Sequence, residues 1–201
     1  MPLLALFTGA RLEELCQLAV EDIKQVDGIW CMDINENRKN TSLKSKAAKR
    51  MIPIHPFLLN ELNLVTEYIA KLKTTKGEGG ITLQLFPNLH YDQQKQNWSA
   101  PLSQWFTRYR RLCEVGNSAG NASAATFHSF RHTLSTELIA KKLVNERMVQ
   151  KVPGHESGSG NLGITENYTG DYPVKILLDG VIMKIDFQDR IAGLQSLTFQ
   201  L

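Results

Sequence analysis

Apolar residues recur along this chain at two periods, and the switches between them divide it into elements. After Thr8-Gly9, read as a helix start, Leu12, Leu15, Cys16 and Ala19 fall at i, i+3, i+4 and i+7, one helical stripe with Arg11 at its first turn. Trp30, Met32 and Ile34 then alternate with their neighbours just after Asp27-Gly28, and Ile52 and Ile54 alternate before Pro56. That pattern predicts two short strands joined as a hairpin by a long polar connection. The helical period returns at Leu58, Leu62, Val65, Ile69 and Leu72, stops at Lys76-Gly77-Glu78-Gly79-Gly80, and gives way to a loop that runs to Ala100. Pro101 suits a third helix start, with Leu102, Trp105, Phe106 and Tyr109 as its apolar side and Arg108, Arg110 and Arg111 on the other. Phe127, Phe130, Leu134 and Leu138 predict a fourth helix, and a shorter helical stretch from Val144 to Val152 ends at Pro153-Gly154. The Ser/Gly-rich run from Glu156 to Gly163 reads as a loop, and a mixed segment from Ile164 to Leu201 closes the chain. The sum is a mixed α/β chain, mainly α-helical with a small antiparallel sheet. With no repeat and no linker, residues 1–201 read as one domain.

Composition removes whole classes. Hydrophobic residues at 42% and charged residues at 21% are ordinary globular usage, which excludes disordered and collagen-like chains. A formal net charge of +3 is too small to announce a polyanion partner, so the distribution of charge must decide. Cys16, Cys31 and Cys113 are odd in number and far apart, which leaves no disulfide framework and no metal knuckle and makes the cytoplasm the expected location. No apolar run reaches the roughly 20 residues that span a bilayer, and Met1 to Phe7 lacks the basic flank and cleavage site of a signal peptide. A start that is apolar from Pro2 onwards predicts a fragment whose upstream part is absent.

The charge is clustered. Arg38, Lys39, Lys44, Lys46, Lys49 and Arg50 occupy the connection of the predicted hairpin without one acid among them. Either this is a solvated tip or it contacts phosphates. Arg108, Arg110 and Arg111 add a basic helix face, and together the two features lean towards a polyanion. His128 and Arg131 stand three apart, so on a helix they can converge on one anion. His128 and His132, four apart, also admit a metal, but the Glu of a His-Glu-x-x-His pair is missing and no third ligand is evident. No hydrolase elbow, P-loop or dinucleotide fingerprint is present.

The order of these features is more specific than any one of them. Thr8-Gly9-Ala10-Arg11-x-x-Glu14-Leu15 comes first, then the basic hairpin, then His128-x-x-Arg131-His132, then Gly154-His155, then Tyr168. From Leu3 to Lys175 the chain resembles the catalytic domain of the tyrosine recombinase (phage integrase) family. The resemblance implies that Arg11, Lys46, His128, Arg131, His155 and Tyr168 are catalytic, with Glu14 as the supporting acid. It prefers Lys46 over Lys44, because Lys46 stands seven before Pro53. Tyr168 is the expected nucleophile and Tyr172 the alternative. Arg38, Lys39, Lys44, Lys49, Arg50, Arg108, Arg110 and Arg111 are the expected DNA contacts.

The resemblance also implies the tyrosine recombinase (DNA breaking-rejoining enzyme) catalytic-domain fold, with a three-stranded sheet at one edge, and a separate helical core-binding domain upstream. The expected activity is site-specific DNA recombination through a 3′-phosphotyrosine intermediate, with no metal and no cofactor. The expected partners are double-stranded DNA and further copies of the chain, forming a homo-tetramer on paired sites and a monomer alone, with no membrane partner. The residue types permit this chemistry in their own right. Two guanidiniums and imidazole donors stabilise the non-bridging oxygens of a phosphodiester attacked in line. A phenol with a pKa of about 10 needs a base or a cationic site before it attacks, and a lysine can protonate the leaving 5′ oxygen. The rivals are a type IB topoisomerase and a catalytically inactive DNA-binding remnant of a prophage integrase.

Overall fold

The apolar opening run is buried rather than frayed. In a computed structural model that describes residues 1–45, 48–76, 82–115, 125–140, 145–154 and 172–191, it forms helix α1 (Pro2–Thr8), with the proline at the first turn where a missing N–H costs nothing. Phe7 is fully buried. Its ring stacks on Phe57 (centroids 5.4 Å apart) and meets Phe187 edge-on at 5.9 Å. His55 lies 4.9 Å away, its Nδ1 accepting the Phe57 N–H and its Nε2 donating to the Ile185 carbonyl.

Thr8-Gly9 is the end of a helix, not the start of one. Gly9 adopts φ +63° and donates its N–H to Ala5, the left-handed exit that glycine permits. The predicted stripe is therefore split. Helix α2 (Leu12–Cys16) begins at Arg11, whose N–H is capped by the Glu14 carboxylate, and Ala19 is buried beyond its end.

The sheet is an antiparallel meander of β1 (Ile23–Val26), β2 (Ile29–Ile34) and β3 (Arg50–Pro53), in that order. Met32 pairs with Ile23 on one side and Ile52 on the other. The long polar connection falls between β2 and β3 as predicted. The first strand has no visible alternation, being four residues with Lys24 and Gln25 exposed at its centre. Its signal is the Asp27-Gly28 turn, where both residues take positive φ (51° and 76°), the geometry that matches strand twist in a two-residue hairpin.

The second predicted helix is broken in two. Widened, π-type turns at Phe57–Glu61 and Leu64–Ile69 are separated by the left-handed Asn63 (φ 49°), and only then does α3 (Ala70–Lys76) follow. Helix α4 (Ala100–Leu112) buries none of its residues. Phe106 meets Phe127 and Phe130, but Trp105 and Tyr109 stack on each other at 5.1 Å and remain 46% and 50% exposed. The apolar side expected of this helix is thus divided: Phe106 packs against the core, while Trp105 and Tyr109 form a surface pair. Helices α5 (Ser129–Ala140), α6 (Glu146–Lys151) and α7 (Val174–Gly180) follow among the described residues. Helix α5 packs on α1 and buries Leu134 and Leu138, while α7 packs on β2 and β3. Among the described residues no helix is long and apolar enough to cross a membrane.

Candidate active site

Three chain segments meet at one place: the Gly9–Glu14 corner between α1 and α2, the first turn of α5, and the turn Val152–Gly154 that ends α6. Glu14 organises the corner. Its Oε2 accepts the Arg11 N–H (2.8 Å) and its Oε1 the Arg11 Nη1 (2.8 Å). Arg11 is then free to send Nη2 to the Gly154 carbonyl at 3.3 Å. Arg131, from α5, donates Nη1 to the Gly9 carbonyl (2.9 Å) and to the Pro153 carbonyl. The two arginines expected to hold a phosphate therefore anchor on consecutive carbonyls of one turn, immediately before His155. Gly9 permits the approach, since a Cβ there would stand 2.9 Å from Pro153 Cβ and 3.1 Å from Leu134 Cδ2.

The arginines sense one another. Burial lowers the Arg131 pKa to about 10, helped by the charges of Arg11 and Arg50 and opposed by Glu14. Burial pushes the Glu14 carboxyl up, but the Arg50 charge and the hydrogen bonds from Arg50 and Arg11 outweigh it and hold Glu14 below its ordinary range. His128 is exposed at the start of α5, its carbonyl accepting from the Arg131 and His132 N–H groups. Its pKa is lowered by burial first, then by His132, Arg131, Arg11 and Lys44. A histidine so placed is neutral near pH 7 and able to accept a proton. The His128 and His132 rings lie edge to face at 4.7 Å, and no group of three His, Cys, Asp or Glu suited to a metal occurs among the described residues.

The basic connection divides into two kinds of residue. Arg38 grips Asp22 through both Nη atoms, also reaches Glu21 and the Gln17 carbonyl, and its side chain is only 16% exposed. Arg50 is further inside. Its Nη2 and Nη1 pair with Glu14 (2.9 and 3.3 Å), Nη1 also donates to the Ala48 carbonyl, and Nε donates to the Val152 carbonyl at 2.7 Å. Both arginines are thus corrected from DNA contacts to internal ties, because their guanidinium groups are turned into the protein onto carboxylates and main-chain carbonyls rather than out to solvent. Lys39, Lys44 and Lys49 are exposed, as are Arg108 and Arg111 of α4, while Arg110 is half-buried and donates to the Val115 carbonyl. Lys46, His155 and Tyr168 lie outside the described residues. Tyr172 is half-buried and packs against the core.

Three contributors have no signature in the sequence. The Pro153 and Gly154 carbonyls act as arginine acceptors, a role any residue could fill. Glu13, beside the recognised Glu14, accepts the N–H groups of Trp98 (2.8 Å) and Ser99 (2.9 Å) and so fixes the start of α4 against α2.

A family model described as the phage integrase family matches residues 1–173. No curated protein matches the chain. Among solved structures, it is similar to an integrase of the Tn1549 transposon in complex with transposon right end DNA, at 18% identity and a TM-score of 0.45. The similarity covers 98% of this chain and 57% of that one, so this chain spans little more than half the length of the chain it matches.

Proposed function

The chain belongs to the phage integrase family, and we propose that it is the catalytic domain of a site-specific DNA recombinase, cleaving and rejoining DNA through a 3′-phosphotyrosine intermediate. The observation that carries this reading is the convergence of Arg11 and Arg131 on the Pro153–Gly154 turn with His128 inside their field. Arg11 and Arg131, with His155 from the segment that follows the turn, hold the non-bridging oxygens of the scissile phosphate and offset the charge that gathers there. Neutral His128 takes the proton of the Tyr168 phenol as its oxygen attacks phosphorus. The bond from phosphorus to the 5′ oxygen breaks, and the Lys46 ammonium protonates that oxygen as it leaves. In the return step a 5′ hydroxyl from another duplex attacks the phosphotyrosine and releases Tyr168, so no ATP is consumed. The side chains supply the charge and the protons, and the reaction is metal-independent on this reading. Tyr168 is preferred over Tyr172, whose ring is packed against the core.

Double-stranded DNA is the substrate, four copies assemble on two paired sites, and a core-binding domain upstream closes the clamp. Incubation with a nicked suicide duplex tests the activity: wild type is expected to form a covalent adduct in excess chelator, and Tyr168→Phe none at unchanged DNA affinity. An adduct retained by Tyr168→Phe and lost by Tyr172→Phe would reassign the nucleophile. DNA binding with no adduct would leave an inactive remnant, and relaxation of plasmid without sequence requirement would point to a topoisomerase.

A further inference from the structure

The buried arginine of β3 touches two of the three segments that build the site, the Glu14 corner and the Val152–Gly154 turn, while its own guanidinium is turned inward. Its side chain is 7% exposed and each guanidinium nitrogen has a partner inside the protein. Through Glu14 it meets the carboxylate that orients Arg11. Through Nε it holds the Val152 carbonyl. Through Nη1 it holds the Ala48 carbonyl, two residues from Lys46. Its flat face also lies against Gly154: a Cβ built there would stand 2.9 Å from Arg50 Cζ and Nη1, and Gly154 has φ +74°. Glycine is thus required before His155 partly because the Arg50 guanidinium fills the space a side chain would take.

A buried ion pair is weak grounds for stability in itself, since exchange for apolar residues of similar volume is often neutral or better. What it does well is fix geometry, and a planar guanidinium does so where an ammonium cannot. Resting on the recombinase reading, we propose that Arg50 is a positioning residue for strand cleavage. Through Glu14 it sets the Arg11 guanidinium against the scissile phosphate, and through the Val152–Gly154 turn it sets the backbone leading to His155.

The test uses a substrate that no longer needs what Arg11 supplies. A methylphosphonate at the scissile position replaces one charged non-bridging oxygen by a methyl group, so an enzyme whose defect is charge stabilisation there recovers on it. Single-turnover cleavage of phosphodiester and methylphosphonate suicide duplexes is measured at saturating DNA for wild type, Arg11→Ala, Arg50→Lys and Glu14→Gln, alongside melting curves. Arg50→Lys keeps the charge and loses the planar donors. It is expected to fold and to bind DNA like wild type, and to cleave the phosphodiester roughly tenfold to a hundredfold more slowly, the usual effect of losing an outer-shell partner. On the methylphosphonate most of that loss should vanish, as it should for Arg11→Ala and Glu14→Gln. Equal slowing on both substrates, an unfolded Arg50→Lys, unchanged cleavage, or a defect confined to DNA affinity would each overturn the proposal while leaving the recombinase reading intact. A wild-type chain that cleaves neither duplex would overturn that reading and this proposal with it.

Discussion

Glu14 divides two carboxylate oxygens between two arginines, so its ionisation is written into the stability of the fold. Its folded pKa lies below the ordinary 4.5, so its contribution is complete above 4.5 and fades as pH falls through the lower folded value. Glu14→Gln leaves the buried Arg50 without its counter-charge and should cost about 3–5 kcal/mol at pH 7. As pH falls from 4.5 through that lower folded value the wild type comes to protonate its own carboxyl, and over that range the gap in urea unfolding between the two proteins should close. His128 gives a second reading of charge at the residue scale. Because its pKa is depressed from 6.5, the acid limb of the cleavage rate against pH should fall below 6.5, and His132→Gln, by removing a neighbouring imidazole, should move that limb upward. Much of this was legible, for the His-x-x-Arg spacing and the Arg11–Glu14 pair are local. Arg50 was not, since an arginine in a basic run looks like surface and its partner lies 36 residues away.

At the scale of elements, the β2–β3 connection is fastened at both ends and basic between them. Arg38 on Asp22 holds its beginning, Arg50 on Glu14 holds its return, and Trp98 Nε1 bonds the Asn40 carbonyl from outside. Lys39, Lys44 and Lys49 between the ties carry solvent-facing charge. If Lys46 is the general acid, Lys46→Ala should slow cleavage by roughly a hundredfold to ten-thousandfold. With sulfur in place of the bridging 5′ oxygen, which leaves without a proton, the rate should largely return. Lys44→Ala should instead lower DNA affinity in a salt-dependent way and raise the acid limb set by His128, whose pKa the Lys44 charge depresses. A Lys46→Ala protein equally slow on the sulfur substrate would remove it from that role. The hairpin and its polar connection were readable from alternation in β2. The strand before it was not, because four residues with a polar centre carry no period, and α4 misled because aromatic residues at helical spacing mark a face without saying whether anything covers it.

Across the whole molecule, the site exists only where α1, α5 and the end of α6 close on Gly9. Gly9→Ala should therefore act at a distance: overpacking against Pro153 and Leu134 costs about 1–3 kcal/mol, and the left-handed backbone adds about 1 more. The melting temperature should fall, and cleavage should fall further than the residual folded fraction explains, because the turn leading to His155 is displaced. Unchanged cleavage per folded molecule would mean that the turn tolerates the shift. Of the segments that build this junction α5 and α6 were legible as helices but α1 was not, since Thr8-Gly9 reads equally well as a helix start and only the packing shows it to be an end.

That junction has a consequence for how the sequence can drift. Arg11 and Arg131 attach to main-chain oxygens of Gly154 and Pro153, and a main-chain oxygen is supplied by every codon. Position 153 can change its side chain and still present the same acceptor, so long as the backbone keeps its path. The inherited constraint falls instead on the residues that shape that path from a distance: the glycines at 9 and 154, and the arginine at 50 that lies beneath one of them.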